Sequence, residues 1–228
     1  MGRKVPRVFA IPDLHAPFTD WKRVARVYAD IDDQNPDYVV QLGDAADRIS
    51  FGRFARSHDL MTPEEELEEA RQGIASFWVN VKKAAPKAQR IQLSGNHEAR
   101  ILRQVLERFP EVYSLLKRAE GDFWKFDGVK TIHDHRHELE INGVVYCHGW
   151  LTNLGAHMRY LGKNVVHGHT HRAGLIVERW HGKQIWELDC GFLADELQVP
   201  LQYGPTKTVK WVKGYGDIDG HIPRFVPL

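Results

Sequence analysis

The chain has 228 residues, 43% of them hydrophobic and 27% charged, with a formal net charge of +1. A domain of this length can bury about 70% or more of its unfolded surface, and the near-neutral balance excludes a strongly basic nucleic-acid coat while leaving room for a local basic groove. No apolar run approaches the roughly 20 residues that span a bilayer, and MGRKVPRVFAIPD is too poor in apolar residues to be a signal-peptide core. Cys147 and Cys190 both sit in apolar sequence, which predicts two small buried hydrophobes, no disulfide framework and a cytoplasmic location.

In chain order, VFAI (8–11) predicts the first strand, and Trp21, Val24, Val27, Tyr28 and Ile31 then recur at the spacing of an amphipathic helix. YVVQL (38–42) reads as a second strand. A second helix starts at TPEEE, with Thr62 as N-cap, Pro63 in the first helical position and Glu65 closing a capping box. Its apolar stripe runs through Leu67, Ala70, Ile74, Phe77, Trp78 and Val81, and Pro86 ends it. The glutamates at 64, 65, 66, 68 and 69 read as a solvated face favoured by the helix dipole. RIQL (90–93) is a third strand, and a helix is expected after Glu98 on Ile101, Leu102 and Val105. GVVYC (143–147) and NVVH (164–167) are further strands, and beyond residue 172 LIVERW, KQIWEL and TVKWVKGY make the chain β-rich. Nothing repeats and no Pro/Gly/Ser linker divides the chain, so one α/β domain over 1–228 is expected.

The chemistry collects where these strands end. VFAI runs into Asp13-Leu14-His15, YVVQL into Gly43-Asp44, RIQL into Ser94-Gly95-Asn96-His97, GVVYC into His148-Gly149, and NVVH into Gly168-His169-Thr170-His171. Sites in α/β sheets form at the carboxyl ends of strands, so residues nearly 160 positions apart can converge. Carboxylate, amide oxygen and imidazole together suit Mn, Fe, Zn or related divalent ions, and the lack of nearby thiolates disfavours a structural zinc finger. Asp13/His15 and His169/His171 have the i, i+2 spacing that puts both side chains on one side of extended backbone.

The ordered set DLH, GDAADR, GNHE, HG and GHTH resembles the calcineurin-like metallophosphoesterase superfamily, and GNHEAR, HGW and GHTHR are similar to its small bacterial and phage-encoded members. The motifs span residues 8–172. The resemblance implies a four-layer α-β-β-α sandwich with a two-metal centre at one edge of its paired sheets. It assigns Asp13, His15 and His171 to one divalent cation, Asn96, His148 and His169 to a second, and Asp44 to both; manganese is the first expectation, with Fe, Zn, Ni and Mg as alternatives. By the same resemblance His97 contacts phosphate and assists the leaving oxygen, Asp47 orients His97, and Arg48 contacts phosphate, although Ile49 stands where that branch usually has glycine. The implied reaction is hydrolysis of a phosphomono- or phosphodiester by in-line attack of a metal-bridging hydroxide. The partner would be a small-molecule, nucleotide or phosphoprotein ester, with no membrane. A nuclease acting on DNA or RNA is the alternative within that chemistry. An idle scaffold on the same fold is the alternative of another class, disfavoured because all eight motif positions stand.

Other features have plainer readings. His133, His135 and His137 alternate, which on a strand would put them on one face, but an exposed strand or hairpin is the simpler expectation. Arg100 and Arg172 could grip phosphate as bidentate donors or serve as ordinary surface cations. Ser57, His58 and Asp59 are consecutive, which rarely gives triad geometry. Trp150, Asn153, Phe192 and Leu193 are candidates for a substrate wall, and His167 for a packed histidine behind the site.

Overall fold

The computed structural model describes residues 5–52, 61–198 and 210–228. Strand β1 (Arg7–Ile11) leads to helix α1 (Trp21–Gln34), β2 (Tyr38–Gln41), a short 3-10 turn at Ile49–Phe51, α2 (Pro63–Ala84) and β3 (Gln89–Leu93). Helices α3 (Arg100–Arg108) and α4 (Tyr113–Phe123) follow, then β4 (Val129–Ile132), β5 (Leu139–Ile141), β6 (Val144–Tyr146), α5 (Ala156–Leu161) and β7 (Asn164–His167). The chain closes with β8 (Ala173–Trp180), β9 (Lys183–Cys190), β10 (Gly214–Asp219) and β11 (Ile222–Pro227).

Two sheets result. One has six strands in the order β11-β10-β1-β2-β3-β4, the other five in the order β5-β6-β7-β9-β8. In the first, β1 to β4 are mutually parallel; in the second, β6, β7 and β9 are. Apart from the edge strand β4, these parallel strands are largely buried, which is why their sequences read as short apolar runs. One face of each sheet meets the other across Val8, Ala10, Val40, Leu42, Ile91, Leu93, Tyr146, Val166, Trp186, Leu188 and Ile218.

The outer face of the first sheet is covered by the predicted stripes of α1 (Val24, Val27, Ile31) and α2 (Ala70, Ile74, Phe77, Trp78, Val81). The outer face of the second is covered by the six-residue α5, whose Met158 packs on Val145, Cys147, Val165 and Ile185. The architecture is thus the expected α-β-β-α sandwich, with a thin fourth layer. Both cysteines are free and buried, and burial pushes the Cys147 thiol up to about 12.

Thr62 and Glu65 form the capping box anticipated for α2. The solvated acidic face has one exception: Glu66 is buried and its carboxylate accepts from Ile49 N at 2.6 Å and Ser50 N at 3.0 Å, so it pins the 3-10 turn. Residues 133–138 join β4 to β5 as a turn, so His133, His135 and His137 do not share a strand face. Ser57, His58 and Asp59 lie outside the described residues.

Candidate metal centre

Because β1 to β3 run parallel, Asp13, His15, Asp44, Asn96 and His97 emerge along one edge of the first sheet. β6 and β7 deliver His148, His169 and His171 from the second. The two sets meet: His169 N donates to Asp13 Oδ2 at 3.0 Å, and His148 Nδ1 donates to Leu42 O at 3.2 Å. The expected extended DLH and HTH segments are corrected by the backbone, since His15, His169 and His171 have φ of 49°, 72° and 59°, and Asp44 has 48°. Left-handed, non-glycine conformations are sparse and gather at functional sites. The side chains converge because the chain turns, not because it is extended.

Two glycines are required by contact. A Cβ on Gly168 would stand 2.1 Å from Asp13 Oδ2, and one on Gly95 would stand 2.1 Å from Asp44 Oδ1. Glu98 holds the same loops by accepting from Asp44 N at 2.9 Å, Gly95 N at 2.6 Å and Ala46 N at 3.1 Å. Gln41 closes its own turn, accepting from Gly43 N and donating to Gly43 O.

Asp13, His15 and His171 form one group of buried ligand atoms within 4.8 Å of one another; Asp44, His148 and His169 form a second, and Asp44 also groups with His15 and His97. Asn96 Oδ1 lies 3.0 Å from His148 Nε2. The ring protons say what these groups suit. With Nδ1 donating to Leu42 O, neutral His148 turns the Nε2 lone pair toward Asn96 Oδ1 and, at 3.3 Å, Asp44 Oδ2. His15 Nδ1 faces the Asp47 carboxylate at 3.0 Å, leaving Nε2 against His171 Nε2 at 2.9 Å. Lone pairs that face one another in this way suit a cation between them, or a proton in its place. The donor set therefore fits two divalent ions, and N/O donors of this kind suit Mn, Fe, Zn and Ni. Burial lowers His169 to about 4, and burial raises Asp13 to about 7.

His97 stands beside the groups, with Nε2 3.6 Å from Asp44 Oδ2. Its Nδ1 donates to the Asp47 backbone carbonyl at 2.6 Å, so Nε2 is an acceptor, filled by Arg100 Nη2 at 2.6 Å. Burial holds its pKa down at about 3. The expectation for Asp47 changes at the atomic level: its carbonyl, not its carboxylate, orients His97, and the carboxylate serves His15.

Arg48, expected to contact phosphate, is fully buried. Its guanidinium is 0% exposed, donates to Glu120 Oε2 at 2.6 Å and Glu98 O at 2.9 Å, and stacks on Phe123 and Trp124. It packs against α4, where Glu120, Phe123 and Trp124 meet its guanidinium. Arg100 instead lies at the site, donating to Asp47 O at 2.8 Å as well as to His97.

Behind the centre, His157, His167 and Glu187 form a further buried group. His157 Nε2 accepts from Trp150 N and Leu151 N, which puts the ring proton on Nδ1, toward Glu187. His167 Nδ1 donates to Gly168 O, and its Nε2 faces Glu187 Oε1 at 3.1 Å. With its accepting nitrogen taken, His157 offers no lone pair to an ion, and the trio braces the HGW and GHTH turns. Phe192 stacks on His171 at 5.2 Å, Leu193 belongs to the core, and Asn153 O starts α5 by accepting from Ala156 N. The roles of Glu98, Gln41, His157 and Glu187 were missed from sequence; for Gln41 and Glu187 a polar residue inside an otherwise apolar strand was the available signal.

The family model for calcineurin-like phosphoesterases matches residues 6–173. Two phage proteins, each called Gene 54 protein, are similar over 97% of this chain and 93% of their own length: one from Mycobacterium phage D29 at 25% identity, the other from Mycobacterium phage L5 at 24%.

Proposed function

The chain belongs to the calcineurin-like phosphoesterase family, and from that premise we propose that it is a binuclear metal-dependent hydrolase of phosphomono- or phosphodiesters. The observation that carries this reading is Asp44, whose carboxylate lies within 4.8 Å of His148 and His169 and also of His15 and His97. Asp13, His15 and His171 hold the first cation, Asn96, His148 and His169 the second, and Asp44 both. When bound, the two cations supply charge that polarises phosphoryl oxygens and acidifies a water.

The chain's own residues do the rest. Asp47 fixes the His15 ring through its carboxylate and the His97 ring through its carbonyl. Glu98 ties the Asp44 and Gly95 turns together, so the ligands keep their spacing. His97 binds no cation; once Arg100 turns from Nε2 to the phosphate, Nε2 would take up a proton from solvent and pass it to the leaving oxygen. The phage origin of both relatives supports work in a host cytoplasm.

The test is a panel of mono-, di- and cyclic phosphoesters with single- and double-stranded nucleic acid, run with Mn, Mg, Zn and Ni. Hydrolysis of a small mono- or diester with Mn is expected. Turnover confined to nucleic acid would replace this reading with the nuclease. Two bound metals with no turnover on any substrate would leave only the scaffold.

A further inference from the structure

Of the three arginines beside the motifs, Arg48 packs against α4, Arg172 is exposed, and Arg100 meets His97. Resting on the phosphoesterase reading above, we infer that Arg100 is the guanidinium that grips the non-bridging oxygens of the substrate's phosphoryl group.

Three observations carry it. First, Arg100 is placed by rigid parts: it opens α3, directly after the loop that Glu98 clamps, and its side chain is only 13% exposed. Second, its guanidinium spans Asp47 O and His97 Nε2, and His97 Nε2 is 3.6 Å from the Asp44 carboxylate shared by both ligand groups. A phosphoryl group drawn to cations that Asp44 would hold therefore comes close to the fork. Third, two donors are engaged by those contacts, and a guanidinium has five, arranged to meet two oxygens of one phosphate. Among the described residues no other Arg or Lys side chain hydrogen-bonds to His97 or to any of the seven assigned ligands. Arg103 and Arg172 are exposed and make no such contact.

The assignment also explains an economy in the loop. Asp47 O receives both the His97 Nδ1 proton and the Arg100 Nη1 proton, so one carbonyl sets the spacing of the two groups that meet phosphate.

The experiment uses the full chain loaded with Mn, p-nitrophenyl phosphate and bis(p-nitrophenyl) phosphate as substrates, and inorganic phosphate as the binding probe. Arg100→Ala is expected to lower kcat/KM by about 100-fold or more, the scale of losing one preorganised donor. It should raise the inhibition constant for inorganic phosphate at least tenfold, with Mn content and Tm unchanged. Arg100→Lys should keep part of the phosphate affinity, and added guanidinium ion should restore part of the Arg100→Ala rate. Parent-like phosphate inhibition with kcat/KM within threefold would overturn the inference, and so would loss of bound Mn. If Arg100→Ala does not fold, the Arg100→Lys inhibition constant decides instead: a parent-like value overturns the inference. A parent protein that neither hydrolyses the two esters nor binds phosphate refutes the phosphoesterase reading itself, a result distinct from any of these.

Discussion

Arg48 and Arg100 carry the same charge, and their surroundings give them opposite work. Arg48 lies between a carboxylate, a carbonyl and two aromatic rings, so truncating it leaves Glu120 without its cation at a site only 15% exposed. Arg48→Met is expected to cost about 3 kcal/mol, the lower end for a broken buried pair because Glu120 keeps some water; denaturant titration should find this loss, with Mn content unchanged in the folded protein. His97→Ala should behave in the reverse way. With no ligand role, its loss should leave two metals bound by elemental analysis while turnover falls about 10²–10⁴-fold, the usual contribution of proton-transfer assistance. Undiminished turnover would remove His97 from the chemistry. At this scale the residue types were legible in the sequence, but atom choice was not: GDAADR cannot say that Asp47 uses its carbonyl on one histidine and its carboxylate on another.

The elements that bring ligands together were the most legible part, because a strand ending in glycine and a polar ligand is a local signal. β1, β2, β3, β6 and β7 were each expected within one or two residues of their ends. Strand β4 and helix α4 were not expected, and the reason is physical. Neither β4 nor α4 buries a residue, so neither shows the core-facing stripe of α1 and α2; α3 buries none either, and was expected from Ile101, Leu102 and Val105 following the GNHE motif. The GHTH turn shows how tightly an element can be specified. A methyl on Gly168 would meet the Asp13 carboxylate at 2.1 Å, so Gly168→Ala must displace this proposed ligand from the opposite sheet. The expected outcome is a 10- to 100-fold weaker Mn affinity by titration, the range seen when support for a metal ligand is disturbed. Retained affinity would mean that the turn relaxes freely.

At the scale of the molecule, the assigned ligands divide between the sheets: Asp13, His15, Asp44 and Asn96 from the six-stranded one, His148, His169 and His171 from the five-stranded one. Bound cations would clasp the sandwich along one edge, adding to the apolar layer between the sheets. Ligand binding at about 100 times Kd stabilises by about 2.7 kcal/mol, so chelation should lower Tm by about 5–10 °C for a chain of this size. An unchanged Tm would mean that the edge holds without metal. The centre also gathers four buried carboxylates, Asp13, Asp44, Asp47 and Glu98, a formal charge that two divalent ions would match. Without them the balance must come from protons. Burial opposes charge on His148, but Asp44 and Asp13 outweigh it and hold the ring up at about 9, protonated at neutral pH. An ion arriving beside Nε2 must expel that proton, so metal uptake should acidify a weakly buffered solution. The ion and the proton are rival tenants of one acidic chamber, and raising pH through the neutral range should tighten metal binding.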